Sequence, residues 1–176
     1  MKILLIGQGI AGTMLAWALQ RRGAQVFIAD GALPGNASSI AAGIINPVTG
    51  KRFVKSWQFD AFFPAAKSAY QLLENGLGIK VWSEQSIVRL LATPEEANDW
   101  SARCALPDYA EHLGESGDAG IWTDLLKPGF KFGNIQRAAR VDFQKLISTF
   151  RQEAISEGIF LEKKFISTPS INSFPC

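Results

Sequence analysis

Three glycines near the N-terminus have the spacing of a turn that can hold a pyrophosphate. Gly7, Gly9 and Gly12 form a G-x-G-x-x-G pattern inside "KILLIGQGIAGTMLAWALQRRGAQVFIAD", residues 2–30. Gly7 permits a tight turn, Gly9 keeps a Cβ out of the path of a phosphate, and Gly12 lets a helix pack closely on a strand. The amides at the start of that helix then point at the anion. The same three glycines also fit an ordinary strand-to-helix turn.

Asp30 adds a second polar group to this pattern. It follows the apolar segment "QVFIA", residues 25–29. A carboxylate at that point can accept hydrogen bonds from both hydroxyls of a ribose, and it repels a 2′-phosphate. We therefore expect a site for the adenosine diphosphate half of NAD or FAD, between which the carboxylate does not discriminate. The alternative is that Asp30 is the solvated end of a strand.

The elements that position these residues can be predicted from hydrophobic periodicity. Residues 2–6 form a short apolar run typical of a buried strand, and apolar residues then recur at helical spacing from Ala11 through Leu15 to Leu19. Gly23 is expected to end that helix, and residues 25–29 to form a second strand. This βαβ unit predicts an α/β fold with parallel strands.

The rest of the chain is predicted to mix helices with short strands. Residues 31–51 have no clear period, so we expect irregular chain with at most one helical turn. The remaining predictions are, in chain order, a helix from about Pro64 to Gly76 or Gly78, a strand pair or one bent strand over 79–92, a helix opened by Thr93 and Glu96, strands near 129–133 and 137–141, a helix from Asp142 to Gly158, and a strand over 159–165.

Composition excludes several classes of partner. With 18 basic and 16 acidic side chains, the chain has no field that would recruit nucleic acid or a membrane, so a small molecule is expected. Cys104 and Cys176 form no disulfide framework, which fits a cytoplasmic protein. His112 is the only histidine, which argues against a serine or cysteine triad and a histidine-rich metal site. We expect His112 at the surface.

The segment after Asp30 resembles a known family. "PGNASSIAAGIINP", residues 34–47, together with the glycine turn and the acid, is similar to the D-amino acid oxidase and glycine oxidase family of FAD-dependent oxidoreductases. The similarity runs in register from Lys2 to Pro47. "RAARVDFQKLISTFRQEAISEGIFLEKKF" resembles, more loosely, the segment that returns to the cofactor domain. Most members carry Glu where this chain has Asp30, which keeps the carboxylate but shortens its reach.

The resemblance implies FAD as the cofactor and assigns roles to particular residues. Ile10 and Ala11 would lie at the pyrophosphate and Asp30 on the adenosine ribose. Ser38 and Ser39 would lie near the phosphate and ribityl groups. Three small or apolar residues would lie beside the flavin ring: Ala42, Gly43 and Ile44. The alternative for "SSIAAG" is a short surface helix of small residues. No catalytic residue is identified.

The resemblance also implies a domain plan. Residues 1–56 and 140–166 would form an incomplete FAD-binding Rossmann-like domain, 57–139 part of a small α+β substrate domain, and 167–176 an irregular tail. Members of the family are considerably longer, so we expect a fragment, a truncated product or a reading frame altered after about residue 165. The first strand would then lie at an open edge of the sheet.

The activity implied is oxidation of a C–N bond in an amino acid or related amine, with hydride transfer to FAD. Three alternatives stay open: a non-catalytic remnant, an NAD-binding protein, and a flavoprotein domain acting on modified tRNA. The basic pair Lys51 and Arg52 could face an anionic substrate or simply be solvated.

Overall fold

The structure, a computed structural model, describes residues 1–31, 36–116, 125 and 131–163. Its described residues form two compact units. Unit 1 consists of Met1–Ala41 and the chain from Phe143, and unit 2 is Ala42–Asp142. Unit 2 therefore includes residues 42–56, which the sequence assigned to the cofactor domain. The predicted tail at 167–176 lies outside the described residues.

The described residues form both strands and helices. The strands are β1 (Lys2–Ile6), β2 (Gln25–Asp30), β3 (Ile44–Ile45), β4 (Val48–Thr49), β5 (Val54–Lys55), β6 (Trp82–Leu91), β7 (Leu113–Ser116), β8 (Lys131–Val141) and β9 (Phe160–Glu162). The helices are α1 (Ile10–Gln20), α2 (Ala37–Ile40), α3 (Phe59–Leu77), α4 (Pro94–Cys104) and α5 (Phe143–Ser156), with a 3-10 turn at Pro107–Tyr109.

Unit 1 contains a parallel sheet in the order β1-β2-β9. The predicted α/β fold class is confirmed, because β1, α1 and β2 form the expected βαβ unit. Among the described residues, β1 pairs only with β2, and its Leu4 and Ile6 are 54% and 66% exposed. This edge position agrees with the expected open edge of the first strand.

The two longer helices of unit 1 were predicted well at their ends. Gly23 and Gly158 adopt left-handed φ angles of 77° and 70° just after α1 and α5, a conformation that glycine enters without steric cost. Leu146 and Phe150 of α5 are buried as predicted. The apolar face of α1 was predicted less well, since Leu15 is half exposed and the buried residues are Thr13 and Ala16.

Unit 2 is built on an antiparallel sheet in the order β3-β8-β6, with β7 also paired to β8. Trp100 of α4 is 1% exposed and lies edge-on to Phe53, at 5.1 Å between ring centroids. A Cβ on Gly133 of β8 would stand 2.2 Å from the Trp100 indole, so this tryptophan requires glycine beneath it. The indole N–H donates to the Gly114 carbonyl at 3.2 Å.

Several boundaries in unit 2 differ from the predictions. Helix α3 spans Phe59–Leu77 with Gly78 as its C-cap, so Pro64 lies inside it. Burial of Phe59 and Phe63, whose rings stack at 5.0 Å, starts the helix before the proline and offsets the backbone hydrogen bond that Pro64 cannot donate. Residues 129–133 and 137–141 were predicted as two strands, but β8 is one strand over Lys131–Val141.

Strand β8 contains a bulge in its pairing with β6. Arg137 has a φ of +53°, and the pairing with β6 shifts between Gln85 and Ile87. A bulge bends a strand without ending it. Residues 82–91 likewise form one strand, β6, and not the strand pair that was the other alternative.

The predicted start of α4 is confirmed by its cap. Thr93 Oγ1 accepts from the Glu96 N–H at 3.1 Å, and the Glu96 carboxylate accepts from the Ala92 N–H at 2.8 Å. Sequence periodicity did not reveal the short strands β3, β4, β5 and β7. Within the described part of the chain, no helix combines the length and apolar character needed to cross a membrane.

Candidate nucleotide site

The turn between β1 and α1 has a backbone path that requires glycine at two of its three glycine positions. Gly7 has a φ of +95°, and its N–H donates to the Ala29 carbonyl at 2.8 Å. A Cβ on Gly12 would lie 2.1 Å from the Gly7 carbonyl oxygen. Gly12 therefore lets α1 approach the end of β1, as the spacing predicted.

Gly9 is constrained by a side chain from another segment. Its φ of −80° suits any residue, but a Cβ there would stand 2.9 Å from the hydroxyl of Ser38. That hydroxyl accepts from the Ile10 N–H at 3.0 Å. Ser38 thus lies at the amino end of α1, where Ala11 is exposed. The structure brings together the glycine turn and Ser38, which are separated by about 28 residues in sequence.

Ser39 points into its own turn. Its N–H donates to the Asn36 side chain at 2.9 Å, and its hydroxyl donates to the Asn36 carbonyl at 2.8 Å. These bonds form the cap of α2, a four-residue helix in which no residue is buried. The short surface helix considered as an alternative for this segment therefore exists, while Ser38 still reaches the glycine turn.

Asp30 is held by two residues that the sequence analysis missed. Its Oδ2 accepts from the Gln8 N–H at 2.7 Å, and its Oδ1 accepts from Nη2 of Arg151 at 3.0 Å. Arg151 follows Ile147 by four residues and precedes Ala154 by three, so it shares their side of α5. A charged residue at that spacing on an otherwise apolar face was the available signal.

Three of the predicted flavin-contacting residues belong to unit 2. Gly43 is buried with a φ of +70°, and a Cβ there would lie 1.9 Å from the Val141 carbonyl oxygen. Packing of β3 on β8 therefore requires this glycine, independently of any cofactor. Ala42 is exposed, and Ile44, opposite Arg140, is 59% exposed. Their contact with a flavin stays a prediction.

A second polar cluster lies in unit 2, around His112. This histidine was predicted at the surface, which is wrong, because it is 1% exposed. Its Nε2 lies 3.0 Å from Oδ1 of Asp60, whose other oxygen is 2.5 Å from Nζ of Lys55. We call His112, Asp60, Lys55 and Arg137 the His112 cluster. Arg137 lies 3.7 Å from Asp60.

The charges of this cluster are coupled. Burial and the positive charge of Lys55 lower the pKa of His112, against the opposing effect of Asp60. The hydrogen bond from Lys55 lowers the pKa of Asp60. The cluster therefore favours a neutral imidazole beside an ionised carboxylate. Lys51 and Arg52, the basic pair noted in the sequence, are exposed and outside this cluster.

Unit 1 provides the features that an adenosine diphosphate group needs. Gly9 lacks the Cβ that would fill the space beside Ser38, α1 presents its first amides there, and Asp30 offers a carboxylate at the end of β2. The residues present therefore fit the diphosphate and ribose of a dinucleotide.

Comparison with known proteins gave two kinds of match. The family model DAO, FAD dependent oxidoreductase, matches residues 2–164. Among solved structures, glycine oxidase from Geobacillus kaustophilus is similar with a TM-score of 0.70 and 21% identity, over 90% of this chain and 45% of that one. The comparison with curated proteins gave no match.

Two further solved structures are similar to this chain. Iminodiacetate oxidase from Chelativorans sp. BNC1 gives a TM-score of 0.63 at 25% identity, over 92% of this chain and 46% of that one. L-proline dehydrogenase from P. horikoshii gives a TM-score of 0.65 at 16% identity, over 96% of this chain and 46% of that one. The chain thus spans less than half the length of each of these three structures.

Proposed function

Because the chain belongs to the DAO family of FAD dependent oxidoreductases, we propose that unit 1 binds the adenosine diphosphate half of FAD. The glycine turn, with Ile10 and Ala11 at the start of α1, lies at the pyrophosphate, and Asp30 accepts the hydroxyls of the adenosine ribose. Ser38 lies beside the phosphates. The Ser39 hydroxyl donates to the Asn36 carbonyl, so a place for Ser39 near the phosphate and ribityl region rests on the family resemblance alone.

One observation carries this proposal: the Ser38 hydroxyl accepts from the first amide of α1, at Ile10, and lies beside Gly9. A hydroxyl and helix amides suit phosphate oxygens, and the missing Cβ of Gly9 lets the Ser38 hydroxyl approach the start of α1. The same hydroxyl also caps α1, because it accepts from an amide that has no partner within the helix.

We propose further that the domain takes part in oxidation of a C–N bond in an amino acid or related amine. The names of the similar structures, glycine oxidase, iminodiacetate oxidase and L-proline dehydrogenase, support this substrate class. A bound flavin supplies the hydride acceptor. This chain's own residues in unit 1 bind and orient the adenosine half.

The first test is the visible absorption of the purified 176-residue chain. We expect flavin bands, or their appearance when FAD is added to colourless protein, with quenching of flavin fluorescence to give the affinity. A chain that is folded by circular dichroism but takes up no FAD would overturn the proposal. Uptake of NAD⁺ in place of FAD would instead favour the NAD-binding alternative.

The second test is Gly9→Ala, which places a methyl group beside the Ser38 hydroxyl. We expect the affinity for FAD to fall by at least about tenfold, because the methyl group blocks the diphosphate. Gly114→Ala is the matched control, since a Cβ there makes only ordinary contacts of 3.6 Å or more. Unchanged affinity of the Gly9 variant would contradict the assigned site.

A further inference from the structure

Arg151 makes two hydrogen bonds to the adenosine side of the candidate site. Its Nη2 donates to Oδ1 of Asp30 at 3.0 Å, and its Nε donates to Oε1 of Gln8 at 2.5 Å. The guanidinium lies over the Phe160 ring, 5.1 Å from the ring centroid. Two directed bonds and an aromatic face fix the orientation of this side chain more closely than an exposed ion pair does.

Gln8 completes the support. It is 1% exposed, its backbone N–H donates to Oδ2 of Asp30 at 2.7 Å, and its side-chain amide donates to the Ile147 carbonyl at 3.0 Å. The buried amide therefore connects the glycine turn to α5. Asp30 is held on one oxygen by the turn and on the other by Arg151.

We infer that Arg151 is a positioning residue for cofactor binding: it orients the Asp30 carboxylate toward the adenosine ribose. The inference rests on the proposed binding of FAD by unit 1. A carboxylate at the end of a strand can rotate about its side-chain torsions, and a ribose diol is bound best when the two oxygens are already in place.

The pairing also explains why an arginine at this place need not favour a 2′-phosphate. Arginine near the ribose accommodates a 2′-phosphate in dinucleotide sites, whereas a carboxylate repels it. Here the guanidinium charge is directed at Asp30, 3.0 Å away, and the side chains of the pair are 24% and 19% exposed. Arg151 thus supports the carboxylate that selects an unphosphorylated ribose.

The experiment measures the affinities of the complete chain for ADP and 2′-deoxy-ADP by calorimetry. In the natural protein ADP should bind more tightly, because 2′-deoxy-ADP lacks one hydroxyl that Asp30 accepts. Arg151→Gln should weaken ADP about tenfold and 2′-deoxy-ADP much less, so that the preference for ADP falls. Arg151→Lys should restore part of that preference, since lysine keeps the charge but not the fork of donors.

Three controls separate the possible outcomes. Arg22→Gln, the same substitution at an exposed arginine, should leave both affinities unchanged. Asp30→Asn should lower the preference for ADP by itself, and adding Arg151→Gln should lower it no further, because the arginine acts through the carboxylate. Equal loss of both ligands in Arg151→Gln, or no loss, would overturn the inference. Failure of the natural protein to bind either ADP or FAD would instead overturn the proposed function.

Discussion

The glycine turn of unit 1 and the His112 cluster of unit 2 achieve close packing in opposite ways. In the turn, missing side chains let backbone approach backbone, as where Gly12 meets the Gly7 carbonyl. In the cluster, charged side chains from separate segments surround a buried imidazole. The packing of the turn therefore requires that side-chain atoms be absent, and the stability of the His112 cluster requires that its charges balance. Substitutions that add volume should damage the first, and changes of charge or pH should damage the second.

The largest effect is expected from Gly12→Ala. The new Cβ would lie 2.1 Å from the Gly7 carbonyl oxygen, which belongs to backbone and cannot rotate away. We expect a loss of about 3 kcal/mol in the free energy of unfolding, at the upper end for overpacking. Urea denaturation followed by circular dichroism measures it.

Gly23→Ala is the matched control for that substitution. Gly23 has a φ of +77° but no atom within 4 Å of an added Cβ. Only the backbone conformation is then penalised, by about 1 kcal/mol. If the two variants lose equal stability, the close approach of α1 to β1 is not what requires glycine at position 12.

The His112 cluster should respond more moderately to His112→Ala. The substitution removes the hydrogen bond to Asp60 and leaves space beside the Phe59 ring, which lies 5.5 Å from the imidazole. We expect a loss of about 2 kcal/mol, since both a charge-assisted bond and buried volume are removed. A change below about 0.5 kcal/mol would mean that the imidazole does not stabilise this cluster.

The same contrast explains what could be predicted from the sequence. The path from β1 to β2 was predicted because strand, turn and helix signals all lie within the first 30 residues and agree. The close packing at Gly12 could be predicted from its position as the third glycine of the G-x-G-x-x-G pattern. His112 does not: Lys55, Asp60 and Arg137 are distant in sequence, and only the folded chain brings them to it. A lone histidine in a polar stretch gave no periodic signal of burial.

The candidate site was predicted in part for a related reason. Gly7, Gly9 and Asp30 follow from a local pattern, and Ser38 from a family resemblance. Arg151 reaches Asp30 from a helix about 120 residues later, after the whole of unit 2 has intervened. The two-residue strands β3, β4 and β5 are too short to show an alternating pattern, so the sequence did not reveal them.

The free energy of unfolding should depend on pH through the His112 cluster of unit 2. The pKa of His112 is lowered below its ordinary value of 6.5, chiefly by burial and Lys55. The unfolded chain therefore binds a proton there more readily than the folded chain. Stability is fully present above pH 6.5 and declines as the pH falls from 6.5 toward the folded-state pKa.

The comparison for that titration is His112→Asn, which cannot titrate. The natural protein should lose urea stability over this window, while the variant keeps a flatter profile until the carboxylates protonate. Asp60 has a lowered pKa, so its contribution is lost only below its ordinary value of 3.8. Parallel profiles for the two proteins would show that His112 does not govern the acid response of unit 2.

The smallest effect should come from Arg137, which combines a backbone conformation that suits glycine with a charged side chain of the His112 cluster. Its φ of +53° suits glycine, as in the turn, but its side chain pairs with Glu111 and approaches Asp60, as in the cluster. Arg137→Gly relieves the backbone and loses exposed ion pairs that contribute little, so we expect a net change within about 0.5 kcal/mol. Arg137→Ala loses the same pairs and keeps the unfavourable φ. The alanine variant should therefore be less stable than the glycine variant by about 1 kcal/mol in urea denaturation. The opposite order would mean that the bulge in β8 is held by the strand pairing alone and that its left-handed residue carries no strain.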